Sequence, residues 1–568
     1  MDTIRDQNKL DSLARIQSRL RARWFFGVLF ILFALFILLH FNHFLVPESD
    51  FFDYAEKAVQ LRHLEWPDNF KRPPLTSLSI AFISLLIPGK YAELYAAELI
   101  SAVSALFSLW FLWRIARFLI PSAAPWVVWL WALHASTLKL AIKPKGEFLF
   151  TCLLLLAFVR FLSRDWRAYG AGLLSSMVRF EGAMGIGAFG LADLIYSRRR
   201  IRTLALTVLS GSFLVAWGLL SSGGEGGGSS YADYFTHWQP NWSFFPAFWA
   251  EWLGFIPLGL YRFAAVVAAL LVAAGVYELR RRDPRATLAL LVYLAGFAAL
   301  HVIWPFPGAD YLVMGAWVPL IFLAAGVLAA SRVGRRLAQQ HGLALSGPAR
   351  SGIVLTLAAV VAVLTLLLVL RTRFPFPQYQ PPMGWVALAL VPLAIYYAPP
   401  QRSAVAAARF LAVLTLALFL GFRLFSVARA GLFDVYYTKA EFRLIGEWFE
   451  QNYQNGDRLL VSQPNIVAYY TGLDTRRDFV KLSDAPNLPP AELHAWMRSQ
   501  GITHAAWMSY SEKAAKKGAW HQWTVKNRGL TTLDFLGEEG KSPGFVLIKS
   551  LAAGPRRATI YGVLNEYK

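Results

Sequence analysis

Residues 24–46 carry no formally charged side chain, and that stretch constrains the fold more than any other feature. As a helix rising 1.5 Å per residue it spans about 34 Å, enough to cross a hydrocarbon core of about 30 Å. A polar segment precedes it, with Arg5, Lys9, Arg15, Arg19, Arg21 and Arg23 set against Asp2, Asp6 and Asp11. The run is too long for a signal-peptide core, and no small-residue cleavage site follows. It reads as an uncleaved anchor, with residues 1–23 a basic cytoplasmic helix. Composition extends the conclusion to the whole chain: 56% of the 568 residues are hydrophobic and only 16% charged, against about 25% charged in soluble domains. The chain is a polytopic α-helical membrane protein. Its net charge of +21 would suggest nucleic acid in a soluble protein, but here it must first be tested as cytoplasmic loop charge. The one cysteine, Cys152, excludes an intrachain disulfide and a multi-cysteine metal cluster.

Basic clusters recur at Arg114/Arg117, Arg164/Arg167, Arg198–Arg200, Arg280–Arg282, Arg332/Arg335/Arg336 and Arg402/Arg409. If all face the cytoplasm, an even number of crossings separates each pair. That parity makes Leu75–Pro88 a short segment along the outer face and Tyr95–Phe118 the second span. It also splits 168–196 into two short spans meeting near Arg179-Phe180-Glu181-Gly182. Further spans fall near 123–141, 147–163, 201–221, 252–278, 286–304, 311–330, 353–371, 384–398 and 408–428. The total is about thirteen crossings, which puts the C-terminus outside. Loop 222–251 has no Lys or Arg, as an outer loop should. Topology thus absorbs most of the positive charge, and the nucleic-acid reading falls away.

The membrane part covers 24–430, with 47–94 as its first outer loop and juxtamembrane helices. Residues 431–568 change character. Within 435–550, helices are expected over Phe442–Tyr453, Ile466–Thr471 and Pro490–Gln500. Strands are expected over Arg458–Ser462, Phe479–Leu482, Thr503–Met508 and Gly544–Ile548, with Gly472 and Gly501 ending helices. This alternation predicts a small α/β extracytoplasmic domain.

The first outer loop is unusually charged, and Asp53, Glu56 and Lys57 fall at helical spacing after a Ser49-Asp50 start signal. A solvated amphipathic helix explains that pattern by itself. Yet Ser49-Asp50-Phe51-Phe52-Asp53-Tyr54-Ala55-Glu56, followed by Lys71-Arg72-Pro73-Pro74-Leu75, resembles the first outer loop of GT-C glycosyltransferases. The nearest branch is the protein mannosyltransferase and aminoarabinose transferase group. Further resemblances lie in Lys143-Pro144-Lys145-Gly146-Glu147, in Met177-Val178-Arg179-Phe180-Glu181-Gly182, where Phe180 replaces a proline, and in Asp310-Tyr311-Leu312, where relatives carry Arg. Val461-Ser462-Gln463-Pro464-Asn465 resembles outer domains appended to the superfamily.

The resemblance implies a GT-C fold and transfer of a sugar, with inversion, from a polyprenyl-phosphate donor. The acceptor would be a lipid, glycan or protein at the outer face of the inner membrane. Asp50 matches the catalytic-loop base, with Asp53 and Glu147 as further catalytic carboxylates. Because Phe51 replaces the family's second acid, either Asp53 or Glu56 supplies a second carboxylate or one suffices. Arg72 matches the basic residue associated with the lipid phosphate, joined by Lys71, Lys143, Lys145, Arg179 and Arg262. Tyr54, Glu56, Glu181, Trp242 and Tyr311 are the implied substrate contacts. The chemistry is coherent: a base takes the acceptor proton as the sugar–phosphate bond breaks, and cations stabilise the leaving phosphate in a partly dehydrated site.

Duller readings stand beside these. Lys143 and Lys145 could snorkel to headgroups, Arg179 and Glu181 could be a structural ion pair, and Arg262 could face a buried acid. The aromatic stretch holding Trp238, Trp242, Phe244, Phe245, Trp249 and Trp252 is either an interfacial belt or a mobile lid. His63, His237 and His301 are too scattered to name a metal site, so a divalent metal ion stays open as a cofactor. Two rival functions are a transporter or flippase, which predicts mid-bilayer charges and internal symmetry, and a tethered binding protein, for which so many spans are superfluous.

Overall fold

The computed structural model describes residues 2–42, 45–47, 49–65, 67, 72–222, 258–303, 309–340, 439–508, 532–536, 542–553 and 556–566. The expected spans 353–371, 384–398 and 408–428, the aromatic loop with Trp242, and Lys71 lie outside these residues, as do the side chains of Arg262 and Asp310. The chain divides into two compact units: Met1–Phe41, Leu61–Ala92 and Ala96–Ala430 form one, and Asn42–Gln60, Glu93–Tyr95 and Gly431–Lys568 the other.

The first unit is helical. In chain order its helices are α1 (Asp2–Leu39), α3 (Leu75–Ser84), α4 (Ala92–Leu119), α5 (Ala124–Leu133), α6 (Ala135–Ala141), α7 (Glu147–Leu162), α8 (Arg167–Ser176) and α9 (Gly182–Tyr196). They continue with α10 (Arg200–Ser222), α11 (Leu258–Arg282), α12 (Pro284–Ile303) and α13 (Ala309–Gln340). Among the described residues five helices are long and apolar enough to cross a membrane: Leu20–Leu39, Ala92–Leu119, Arg200–Leu220, Pro284–Val302 and Val313–Gly334. The chain is an integral, multi-pass membrane protein. The expected break in 168–196 is present, since α8 ends at Ser176 and α9 starts at Gly182.

One expected span is interrupted. Over 123–141 the helix stops at Leu133, His134 turns extended (φ −62°, ψ 138°), and α6 restarts at Ala135. His134 Nδ1 accepts from the Ser136 backbone N–H at 3.3 Å, so the break is capped by its own side chain. The core of the unit is aromatic. Phe158 of α7 packs 4.9 Å from Phe189 of α9 and 4.9 Å from Trp317 of α13, with Tyr293 of α12 at 5.6 Å. Where α7, α8, α9 and α12 meet, Asp193 takes Arg285 and the Tyr169 hydroxyl, while Arg285 also reaches the Phe161 carbonyl at 3.0 Å.

The second unit is an α/β domain. Strands β1 (Leu459–Val461), β2 (Phe479–Lys481), β3 (His504–Met508), β4 (Phe545–Ala553) and β5 (Arg556–Val563) form a sheet ordered β2-β1-β3-β5-β4. The first three are parallel and β5 and β4 antiparallel. Helices α14 (Ala440–Asn452), α15 (Pro464–Thr471) and α16 (Pro490–Ser499) flank it. α15 and α16 make the crossovers that parallel neighbours require. Leu460, Leu482, Leu493, Met497, Trp507 and Tyr561 form its core. Gly472 ends α15 in the left-handed region at φ 72°. To this unit belongs α2 (Ser49–Arg62) as far as Gln60.

Candidate active site

Three short motifs meet in the helical unit. Pro73-Pro74 cannot continue a helix from upstream but suits the entry to one, so α3 begins at Leu75 with Pro74 as its N-cap. The Leu75 N–H donates to the Met177 carbonyl at 2.9 Å, joining this entry to the α8–α9 turn. Gly146, the N-cap of α7, completes the junction: a Cβ there would lie 2.9 Å from Thr76 Oγ1 and 3.5 Å from Val178 Cγ1, so a side chain would crowd the Thr76 hydroxyl. The stretches 72–77, 143–147 and 177–181, far apart in sequence, therefore form one structural neighbourhood. Lys143 is buried within it at 2% exposure, and the Lys145 backbone N–H and carbonyl both bond Ser101 Oγ.

At its centre sits Arg179. Its Nη1 donates to Glu147 Oε1 at 3.2 Å and its Nη2 to Glu181 Oε1 at 2.7 Å. The three side chains are 15%, 4% and 10% exposed. The Arg179 guanidinium also lies 5.1 Å over the Tyr311 ring, a placement that the negative face of the ring favours. Burial alone would push the Glu181 carboxyl up, but the Arg179 guanidinium outweighs it and holds the group below the usual carboxylate range. Both acids thus share one cation, and Arg179 is occupied in pairing them. Tyr311 packs 5.7 Å from His301, whose Nδ1 donates to the Phe297 carbonyl at 2.8 Å.

The remaining predicted residues lie on α2, in the second unit. Asp50 and Asp53 are half-buried, Tyr54 is buried, Glu56 is exposed, and Lys57 is buried at 5% exposure. Asp50, Asp53 and Lys57 follow i, i+3, i+7 spacing and share a helix face. Phe51, at the position of the family's second acid, is fully buried. Its slot is therefore a packing position, and of the two alternative carboxylates Asp53 shares the face of Asp50.

The structure thus brings together Glu147, Arg179, Glu181 and Tyr311, with the Arg72–Leu75 entry and Lys143/Lys145 alongside. Sequence reasoning did not assign His301 to this group; a lone histidine in an apolar helix gives no signal of a neighbour in the next helix. Lys57 was visible only through its helical spacing with Asp53 and Glu56. Among the described residues no group of three His, Cys, Asp or Glu side chains is placed to hold a metal ion.

Solved structures share this architecture of a multi-helix membrane unit and a parallel-centred α/β domain. ArnT from Cupriavidus metallidurans bound to undecaprenyl phosphate is 15% identical over 95% of this chain and 98% of its own, with a TM-score of 0.51. The apo state of the same protein gives 14% identity, coverage of 95% and 97%, and a TM-score of 0.52. The mycobacterial arabinofuranosyltransferase AftD is 16% identical over 96% of this chain but 40% of its own, at a TM-score of 0.46. No family model and no curated protein sequence matches the chain. What the likeness to ArnT establishes is the fold.

Proposed function

We propose that the protein is a glycosyltransferase that moves a sugar from a polyprenyl-phosphate carrier to an acceptor at the outer face of the inner membrane, inverting the anomeric carbon. The observation that carries this is the junction of 72–77, 143–147 and 177–181 in one neighbourhood of a chain whose fold is shared with a protein solved with undecaprenyl phosphate bound. Asp50 acts as the base that accepts the acceptor hydroxyl proton. Lys71, Arg72, Lys143 and Lys145 stabilise the departing lipid phosphate. Such cations are worth more where water is excluded, about 4 kcal/mol for unit charges 4 Å apart at an effective dielectric of 20. Glu147, Arg179 and Glu181 act as a charged brace that fixes the start of α7 and the α8–α9 turn, and Tyr54, Glu56, Trp242 and Tyr311 contact the substrates. Arg262 is a further phosphate ligand.

Transfer from a radiolabelled lipid-linked sugar by Asp50→Asn, Asp53→Asn and Glu147→Gln tests the reading. Loss of the general base lowers turnover by roughly 10²–10⁴-fold. That loss is expected at Asp50; loss at Asp53 alone would move the base one turn along the same helix face. Full transfer by all three variants would overturn the site.

A further inference from the structure

The second unit holds α2 by its aromatic face. Phe51 lies edge-on to Tyr469 of α15 at 5.4 Å, and Phe52 lies 5.4 Å from Tyr469 and 6.1 Å from Tyr470. Phe51 and Phe52 are 0% and 2% exposed. The chain entering α2 is held as well: the Leu45 carbonyl accepts from the Tyr470 hydroxyl at 3.3 Å and from Arg443 Nη1 at 3.3 Å. Arg443 is itself fixed, with Nε on Glu447 at 2.7 Å and its guanidinium 5.7 Å over the Tyr470 ring. Two kinds of contact therefore act on one short helix. Ring packing sets its rotation about its axis, and the hydrogen bonds to Leu45 set where it starts.

Rotation matters because α2 is two-faced. At 100° per residue, Asp50, Asp53 and Lys57 fall within about 60° of one another, on the side away from Phe51 and Phe52. A helix gripped by its aromatic side presents its charged side in one direction only. Base catalysis depends on such placement: a misplacement of about 1 Å can cost about 10²-fold in rate.

From these contacts we infer that the C-terminal domain works as a clamp on the first outer loop, with Tyr469, Tyr470 and Arg443 as positioning residues that orient the Asp50/Asp53 face of α2. The inference rests on the reading of that face as the catalytic one. It gives the appended domain a part in the reaction without assigning it any group that touches substrate. It also explains Phe51: the ring that replaces an acid is the anchor through which the clamp holds.

The test uses the full-length protein in lipid nanodiscs. Tyr469→Ala and Arg443→Gln are compared with the wild type by transfer kinetics and by hydrogen exchange of peptides covering 49–62. Turnover is expected to fall roughly tenfold to a hundredfold while half-saturation for the lipid donor changes little. The α2 peptides lose protection, and strand β3 keeps its own. Tyr469→Phe, which retains the ring, restores both turnover and protection. If Tyr469→Ala does not fold, Tyr469→Leu and Arg443→Gln decide. Unchanged protection of 49–62, or unchanged turnover with protection lost, overturns the clamp. The catalytic reading fails separately: Asp50→Asn and Asp53→Asn would both retain full transfer, whatever α2 does in the exchange experiment.

Discussion

Arg179→Gln should strongly destabilise the helical unit. It leaves Glu147 and Glu181, 4% and 10% exposed, without the cation that they share. At 3.2 and 2.7 Å the gross attraction in each pair is about 5–6 kcal/mol at an effective dielectric of 20. Much of that is offset by desolvation in the wild type, but removing the one cation keeps the desolvation cost and forfeits the attraction. Breaking a buried pair in this way costs about 3–5 kcal/mol. At about 2 °C per kcal/mol for a large unit, the unfolding midpoint should drop by roughly 6–10 °C. Arg179→Lys keeps a charge but not the reach to both acids and should fall between. The assay is thermal unfolding of purified protein in nanodiscs, run as a cycle with Glu181→Gln. In the double variant one of the two stranded acids is gone, so its midpoint should lie above that of Arg179→Gln alone. Additive effects, or an Arg179→Gln midpoint within about 2 °C of the wild type, would refute the claim that these charges are buried and coupled.

Other consequences are open to simple measurement. Gly146→Ala places a methyl 2.9 Å from Thr76 Oγ1 and should cost about 1–3 kcal/mol; Thr76→Ala in the same chain should recover most of that loss in thermal unfolding, and no recovery would mean that the junction is not tight. Burial holds the His504 imidazole below the ordinary histidine range, and Asp457 only partly offsets it. The unfolded chain therefore binds a proton more readily, and the second unit should lose stability as pH falls below about 6.5; hydrogen exchange of β3 between pH 7.5 and pH 5 reads this, and His504→Gln should flatten the slope. Asp478 is held below the usual carboxylate range by the Arg477 side chain, despite the opposing pull of burial, with help from the Tyr453 hydroxyl. Its contribution is present above the unfolded carboxylate pKa of about 3.9 and disappears as pH falls through the lower folded value, so Asp478→Asn should weaken the second unit at pH 7 and make no difference in strong acid.

The parts readable in the sequence were those written in local pattern. The apolar run of α1 and most helices and strands of the second unit follow from periodicity and turn residues, and the break between α8 and α9 follows from the parity of the basic clusters. The three motifs near 72, 145 and 179 could be singled out because their residues resemble short motifs of a known family. Other features were not local. The interruption at His134 depends on one side chain capping its own backbone. β5 starts on Arg556 and Arg557 and was passed over, because its pairing with β3 and β4 supplies what its composition does not. The expected strand from Gly544 to Ile548 runs on to Ala553, since the largely exposed β4 at the sheet edge needs no alternating pattern. Least readable was the partner of α2. Phe51 looked like a departure from a motif, and only the fold shows the tyrosines that it and Phe52 meet.

That partnership spans a long stretch of chain: Leu45 and Arg443 are 398 residues apart, and Leu45 and Tyr470 are 425 apart. At a synthesis rate of about 5–20 residues per second, α2 emerges roughly 20–80 s before the residues that will hold it. Throughout that interval Phe51 and Phe52 are an uncovered apolar edge on a nascent membrane protein. A chain stalled or cut before residue 443 would therefore leave α2 unheld.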